Sequence, residues 1–131
     1  MKVLVTGAAG FIGSAVSLAL LRRGDEVVGV DNLGDYYDVG LKEARLAHVA
    51  DAVKAEEPGA FTFVKADIAD RDRMERLFGD GSFNRVCHLA AQPGVRYSID
   101  HPHAYVESNV VGFLNVLEGC RYNQVEHLVY A

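Results

Sequence analysis

Near the start of the chain, Gly7-Ala8-Ala9-Gly10-Phe11-Ile12-Gly13 places three glycines at intervals of three, between a β-branched run and an amphipathic stretch. A turn of this kind between a strand and a helix can hold an anion. Gly7 allows the tight turn, Gly10 lets the backbone approach a pyrophosphate, and Gly13 lets the helix pack closely on the strand. The N–H groups of the first helical turn and the helix dipole then favour negative charge. The spacing is G-x-x-G-x-x-G rather than the G-x-G-x-x-G of the standard dinucleotide fingerprint, and alone it also fits an ordinary βα loop. Asp31 adds a second feature. It closes the next β-rich run, near the roughly 20-residue offset at which an acid takes ribose hydroxyls. A carboxylate there accepts hydrogen bonds from the ribose of NAD and repels the 2′-phosphate of NADP. A plain turn aspartate is the alternative, but turn and strand agree on one ligand, which favours NAD.

Other residues carry weaker signals. Asp67, followed by Ile68, ends a third β-rich run, where an acid could accept from an adenine amino group or cap the following helix; Asp70 competes for the cap. Asn109 falls on the line Val106, Asn109, Phe113, Val116, Cys120, inside an apolar stripe. An amide there is either tied to backbone or water at the margin, or braces an active-site loop; left unbonded it costs about 1–3 kcal/mol. Cys87-His88 and His101-Pro102-His103 hint at metal ligands. No second pair has ligand spacing, and Cys87 and His88 point to opposite faces of one strand, so no metal is expected. Tyr36-Tyr37 and the stretch from Gln92 to Ser98 could contact substrate, but as patterns they are exposed loops.

The elements that would position these residues alternate along the chain. Strands are expected over Lys2 to Thr6, Glu26 to Asp31, Phe61 to Ala66, Asn84 to Ala90 and His127 to Tyr130. Helices are expected from Phe11 to Arg23, stopped by Gly24, and from Leu41 to Glu56, broken by Pro58-Gly59. The second of these carries Leu46, Val49, Ala50 and Val53 on one face. A short helix from Arg71 to Phe78 turns Met74, Leu77 and Phe78 inward. A long one from Pro102 to Tyr122 gathers Val106, Val110, Phe113, Leu114 and Leu117 on one side. Asn32 to Val39 and Gln92 to His101 read as loops. The second strand carries valines on both faces, as in a parallel sheet covered on both sides. The pattern is α/β: a Rossmann-type doubly wound parallel sheet, strand order 3-2-1-4-5, with right-handed crossovers and helices on both faces. Ala131 follows directly on the fifth strand. A domain seldom ends on a bare strand, so a piece truncated from a longer protein is expected.

Composition bounds the remaining classes. A chain of 131 residues, 50% hydrophobic and 24% charged, is one globular unit with a sizeable core. With 18 acidic and 13 basic side chains the net charge is −5, and the basic residues form no stripe, so nucleic acid is not an expected partner. No apolar run approaches the roughly 18 residues that span a bilayer. Met1-Lys2-Val3 leads straight into a strand without a signal peptide's cleavage region. Cys87 and Cys120 lie in apolar segments and are expected reduced and buried, in a cytoplasmic protein.

The TGAAGFIG start, the acid in VGVDNL, Asp67 with Ile68, the HLAA run and SNVVGFLNVLEGCR together resemble the extended short-chain dehydrogenase/reductases that act on nucleotide sugars. Within them, DNLGDYYDVGLKEARL and HLAAQPGVRYSIDHPHAYVESNVVG resemble UDP-glucuronate 4-epimerases. The resemblance covers the whole chain and is weakest between about Ala47 and Gly59. It implies NAD as cofactor, with Gly7, Gly10 and Gly13 at the pyrophosphate and Phe11 and Ile12 contributing backbone. Asp31 and Asn32 would serve the adenosine ribose, Asp67 and Ile68 the adenine, and Leu89, Ala90 and Ala91 the nicotinamide half. Asn109 would help organise the active site. Gln92 to Tyr97 would border the UDP-sugar, with Arg96 facing an anionic group.

The implied activity is interconversion of UDP-glucuronate and UDP-galacturonate through transient C4 oxidation to a 4-keto sugar, in a homodimer. A dehydratase or decarboxylase on the same scaffold, or a non-catalytic cofactor-sensing module, are the rival readings. The family's Ser/Thr and Tyr-x-x-x-Lys are not found: Tyr36, Tyr37, Tyr97, Tyr105 and Tyr122 each lack a Lys four residues on. Residues 1–131 are therefore expected to be the N-terminal part of an NAD-binding domain. The catalytic segment and substrate domain would lie beyond Ala131, and the chain alone would be inactive.

Overall fold

A computed structural model of the protein describes residues 1–54 and 59–131. Its strands are β1 Lys2–Thr6, β2 Glu26–Asp31, β3 Ala60–Lys65, β4 Arg85–His88 and β5 His127–Tyr130. They form a parallel sheet in the order β3-β2-β1-β4-β5, as the alternation of elements predicts. The helices are α1 Phe11–Arg22, α2 Val39–Lys54, α3 Arg71–Gly81, α4 Tyr97–Asp100, α5 Pro102–Val106 and α6 Phe113–Tyr122, with a π-helical turn, Glu107–Gly112, between the last two.

Successive side chains of a strand point to opposite faces, and β1 and β2 use both. Val3, Val5 and Val27 pack on one side with Leu21 of α1 and Val49 of α2. Leu4, Val28, Val30 and Val86 pack on the other with Met74 and Phe78 of α3 and Val116 of α6. Phe78 is wholly buried and meets Phe83 edge-on at 5.8 Å. Truncating such a ring costs about 3–5 kcal/mol. Gly119 of α6 lies directly against the Phe78 ring, which draws α6 close to α3. The order reverses at β1, with β2 on one side and β4 on the other. A crevice opens at the carboxyl ends of the strands where this happens.

Several boundaries differ from expectation, each for a physical reason. Helix α2 begins at Val39, not Leu41; its expected end at Glu56 and the break at Pro58 lie outside the described residues. Strand β4 stops at His88, not Ala90, because the N–H groups of Leu89 and Ala90 turn to the Thr6 hydroxyl. The segment from Gln92 to His101 is not all loop, since Tyr97–Asp100 closes one helical turn.

The expected single helix from Pro102 to Tyr122 is interrupted by the π turn. It is apolar on more than one side, and the stripe that packs inward runs through Gly112, Val116 and Gly119. Val106, Val110, Leu114 and Leu117 remain exposed. The cysteines are free but half-buried rather than fully buried. Among the described residues no helix is long and apolar enough to cross a membrane.

Candidate functional site

The glycine turn follows directly from β1. Gly7 adopts φ +70°, a left-handed conformation that side chains resist, and Gly10 N–H donates back to Gly7 O at 2.9 Å. A Cβ on Gly13 would lie 2.0 Å from Gly7 O, so only glycine lets α1 start this close to the turn. Gly10 caps α1 without a side-chain hydrogen bond, leaving the first-turn N–H groups uncovered by any cap side chain.

Asp31 is buried at the end of β2. Its Oδ2 accepts the Ala9 N–H at 3.2 Å and its Oδ1 accepts the Leu33 N–H at 2.8 Å. The carboxylate thus orders both the glycine turn and its own loop, so the turn-aspartate alternative is partly true. A carboxylate offers about four acceptor positions, however, which leaves capacity for ribose hydroxyls. Lys42 Nζ stands 3.7 Å from Asp31 Oδ1 and 4.9 Å from the Tyr37 ring centroid, and its side chain is itself buried. Arg45 donates to Tyr37 Oη at 3.0 Å and to Ala9 O at 3.4 Å.

Asp67 does not cap α3. Asp70 does, accepting the Arg73 N–H at 3.0 Å. Asp67 instead accepts from Ala69 N–H at 2.9 Å and from Asn32 Nδ2 at 3.3 Å, which links the loops after β2 and β3. Ile68 beside it is buried. Asn109 sits in the π turn and bonds twice to the main chain of Gln92, bracing the loop after β4. That loop meets the β2 loop through Tyr36 and Tyr97, edge to face at 5.1 Å, and Tyr105 Oη donates to Gly94 O.

These pieces enclose one cleft of about 860 Å³. Small-molecule sites typically occupy roughly 300–1,000 Å³. Gly7, Gly10, Phe11, Ile12, Gly13, Asp31, Asn32, Asp67, Ile68, Leu89, Ala90, Ala91 and Gln92 all line it. Arg96 does not: it is exposed at the start of α4. Asn109 acts from behind the wall, through Gln92. Cys87 and His88 lie on opposite sides of the sheet, Cys87 with the α1 and α2 core and His88 stacked on Phe113 of α6. Burial raises the Cys87 thiol pKa and lowers that of the His88 imidazole. Among the described residues no group of three or more His, Cys, Asp or Glu could hold a metal ion.

Sequence reasoning missed Lys42 and Arg45, which build a cationic wall around Tyr37, a residue read only as part of a loop that could contact substrate. The signal was present: Lys42 and Arg45 share a helix face with Val49, at spacings of three and four, so they continue a buried stripe to the cleft. A dinucleotide fits the residues present, because the first-turn N–H groups of α1 carry no cap side chain and Asp31 keeps acceptor capacity on the same cleft.

Comparison with known proteins agrees with this geometry. The family model described as GDP-mannose 4,6 dehydratase matches residues 4–130. The chain is 56% identical over 131 residues to an Escherichia coli O111:H- protein described as "Uncharacterized 37.6 kDa protein in cld 5'region", covering all of this chain and 37% of the relative. It is 53% identical over 121 residues to UDP-glucuronate 4-epimerase 4 of Arabidopsis thaliana, covering 92% of this chain and 26% of that protein. Among solved structures, UDP-glucose-4-epimerase from Stenotrophomonas maltophila, with bound NAD and formylated UDP-arabinopyranose, superposes with a TM-score of 0.79 at 36% identity, over 99% of this chain and 36% of that one. The chain therefore spans between about a quarter and two fifths of the length of these relatives. With residues 4–130 of its 131 matched by the family model, the chain belongs to the GDP-mannose 4,6-dehydratase family of extended short-chain dehydrogenase/reductases.

Proposed function

We propose that this chain is the NAD-binding part of a nucleotide-sugar 4-epimerase that interconverts UDP-glucuronate and UDP-galacturonate. The observation that carries the reading is the single cleft joining the glycine turn, Asp31 and the Asp67–Ile68 pair to the Leu89–Ala91 run. NAD is supported by the NAD-bound neighbour and by the buried carboxylate of Asp31 at the ribose position. The choice of glucuronate is supported by the name of the Arabidopsis relative.

Gly7, Gly10 and Gly13, with the backbone of Phe11 and Ile12, hold the pyrophosphate. Asp31 and Asn32 take the adenosine ribose, Asp67 and Ile68 the adenine, and Leu89, Ala90 and Ala91 flank the nicotinamide half. Gln92 borders the sugar nucleotide, with Arg96 beside it from the exposed start of α4. When bound, NAD supplies a reversible hydride acceptor, the chemistry by which a hydroxyl-bearing carbon is inverted through a ketone. The Ser/Thr and Tyr-x-x-x-Lys that would move the proton belong to a further part of a parent protein, so the 131-residue chain by itself is inactive. Self-association into a homodimer is supported by the exposed apolar residues Val106, Val110, Leu114 and Leu117, and a cytoplasmic setting by the two free thiols.

The test is to supply full-length protein with UDP-glucuronate and follow products by chromatography and mass. UDP-galacturonate of unchanged mass is expected, and no such product overturns the substrate assignment. Of the second reading, a dehydratase or decarboxylase, the family description supports the dehydratase. It would show instead as loss of water or carbon dioxide.

A further inference from the structure

Thr6 is wholly buried at the end of β1, and three groups converge on its hydroxyl. The N–H groups of Leu89 and Ala90 each approach Oγ1 at 3.1 Å, the former shared with Thr6 O at 3.2 Å. The third is Nδ1 of His88, at 2.7 Å. A hydroxyl carries one proton and two acceptor positions, while a backbone N–H only donates. Of the three neighbours, Nδ1 alone can accept the Thr6 proton. To do so it must be a bare lone pair, which puts the ring proton on Nε2.

The surroundings agree. His88 is buried and its ring lies parallel to that of Phe113, with centroids 5.3 Å apart and planes 6° apart. Tyr130, the register partner of His88 on β5, also packs on Phe113, with ring centroids 5.0 Å apart. Burial also lowers the imidazole pKa below the ordinary 6.5. A protonated ring would bring Oγ1 a third donor and leave the hydroxyl proton with no acceptor.

We propose that His88, as the neutral Nε2–H tautomer, is a positioning residue of the cofactor site, taking the Thr6 proton so that the hydroxyl holds Leu89 and Ala90 against the glycine turn. The contact is close, since a Cβ on Gly7 would lie 2.9 Å from Ala90 N. The link to a cofactor rests on the function proposed above; the tautomer does not depend on it.

Full-length protein labelled with [15N]histidine tests this, through long-range 1H–15N correlations of the ring nitrogens together with NAD titrations. His88 is expected as Nε2–H at neutral pH and to stay uncharged as the pH is lowered through 6.5. Thr6→Val should release the tautomer and weaken NAD binding about tenfold, the usual scale for a lost buried hydrogen bond, and Thr6→Ser should restore both. An Nδ1–H or imidazolium His88 in the native protein overturns the proposal, and so does a Thr6→Val variant unchanged in both readouts. Should Thr6→Val fail to fold, the native tautomer and the Thr6→Ser affinity decide. The expected tautomer in a protein that binds no NAD overturns the cofactor reading, and the positioning role with it.

Discussion

The side-chain amide of Asn109 is bonded at both ends to the main chain of Gln92: Oδ1 accepts the N–H at 2.8 Å and Nδ2 donates to the carbonyl at 3.1 Å. The π turn and the loop after β4 are thereby locked together at one edge of the cleft. Asn109→Leu should destabilise the protein by about 1–3 kcal/mol, because two main-chain groups lose their partners. Asn109→Asp, which keeps only the acceptor and sets a carboxylate against a carbonyl, should recover little of this. Denaturant unfolding measures both, and a leucine variant of native stability refutes the brace.

Gly13 allows no side chain. Gly13→Ala would press a methyl group onto Gly7 O, so a cost of about 1–3 kcal/mol is expected from overpacking, with loss of NAD binding. Calorimetric melting with and without NAD reads both. Unaltered NAD stabilisation in the variant would argue against the turn as the pyrophosphate cradle.

Asp31 and Lys42 set opposite charges beside one another at the proposed ribose position. Asp31→Ala should weaken NAD binding about tenfold or more, since hydrogen bonds to a charged group contribute roughly 1.5–3 kcal/mol. It should also raise NADP affinity relative to NAD, because Lys42 remains to meet a 2′-phosphate. Parallel titrations with the two dinucleotides decide, and an unchanged ratio would remove Asp31 as the discriminating group.

Both thiols should be sluggish nucleophiles. Burial pushes Cys120 up to about 11 and moves Cys87 in the same direction. At pH 8 a thiol of that pKa is about 0.1% thiolate, the reactive form. Alkylation counted by intact mass should be at least about tenfold slower in the native protein than in denaturant. Equal rates would contradict the burial of these side chains.

Stability should fall on mild acidification, partly through His88. Burial depresses its folded pKa, so between that value and 6.5 the unfolded chain binds more protons than the native one. Unfolding free energy then rises with pH through this window, is complete above 6.5 and declines below it, by at most about 1.4 kcal/mol per pH unit for one group. His88→Gln should lack this part of the slope. Unfolding curves of both proteins from pH 7.5 to about pH 5 test it, and parallel profiles would exclude His88 as the source.

Much of the architecture was legible because local chemistry and strand periodicity are written in consecutive residues. Three glycines at Gly7, Gly10 and Gly13 mark a tight turn from strand to helix, and Asp31 at the next strand end narrows its ligand. The odd–even split of Val27 against Val28 and Val30 can serve only a strand buried on both faces. Asp31 and Asp67 announced themselves by closing β-rich runs, and Asp70 by opening a helix. The rest depended on partners distant in the chain. Thr6 shortens β4 across a separation of 83 residues, and Asn109 finds Gln92 across 17. Lys42 and Arg45 became part of the cleft only when α2 was laid beside the glycine turn. The helix after Pro102 carries apolar residues on several sides, so its pattern could not say which stripe packs inward. Contact of Gly119 with Phe78 settles that, and such contacts exist only once the sheet has brought α3 and α6 together. Composition and spacing therefore specify the turn, the strands and their acids, while side-chain partners and the packed helix face are decided by long-range packing that no local window contains.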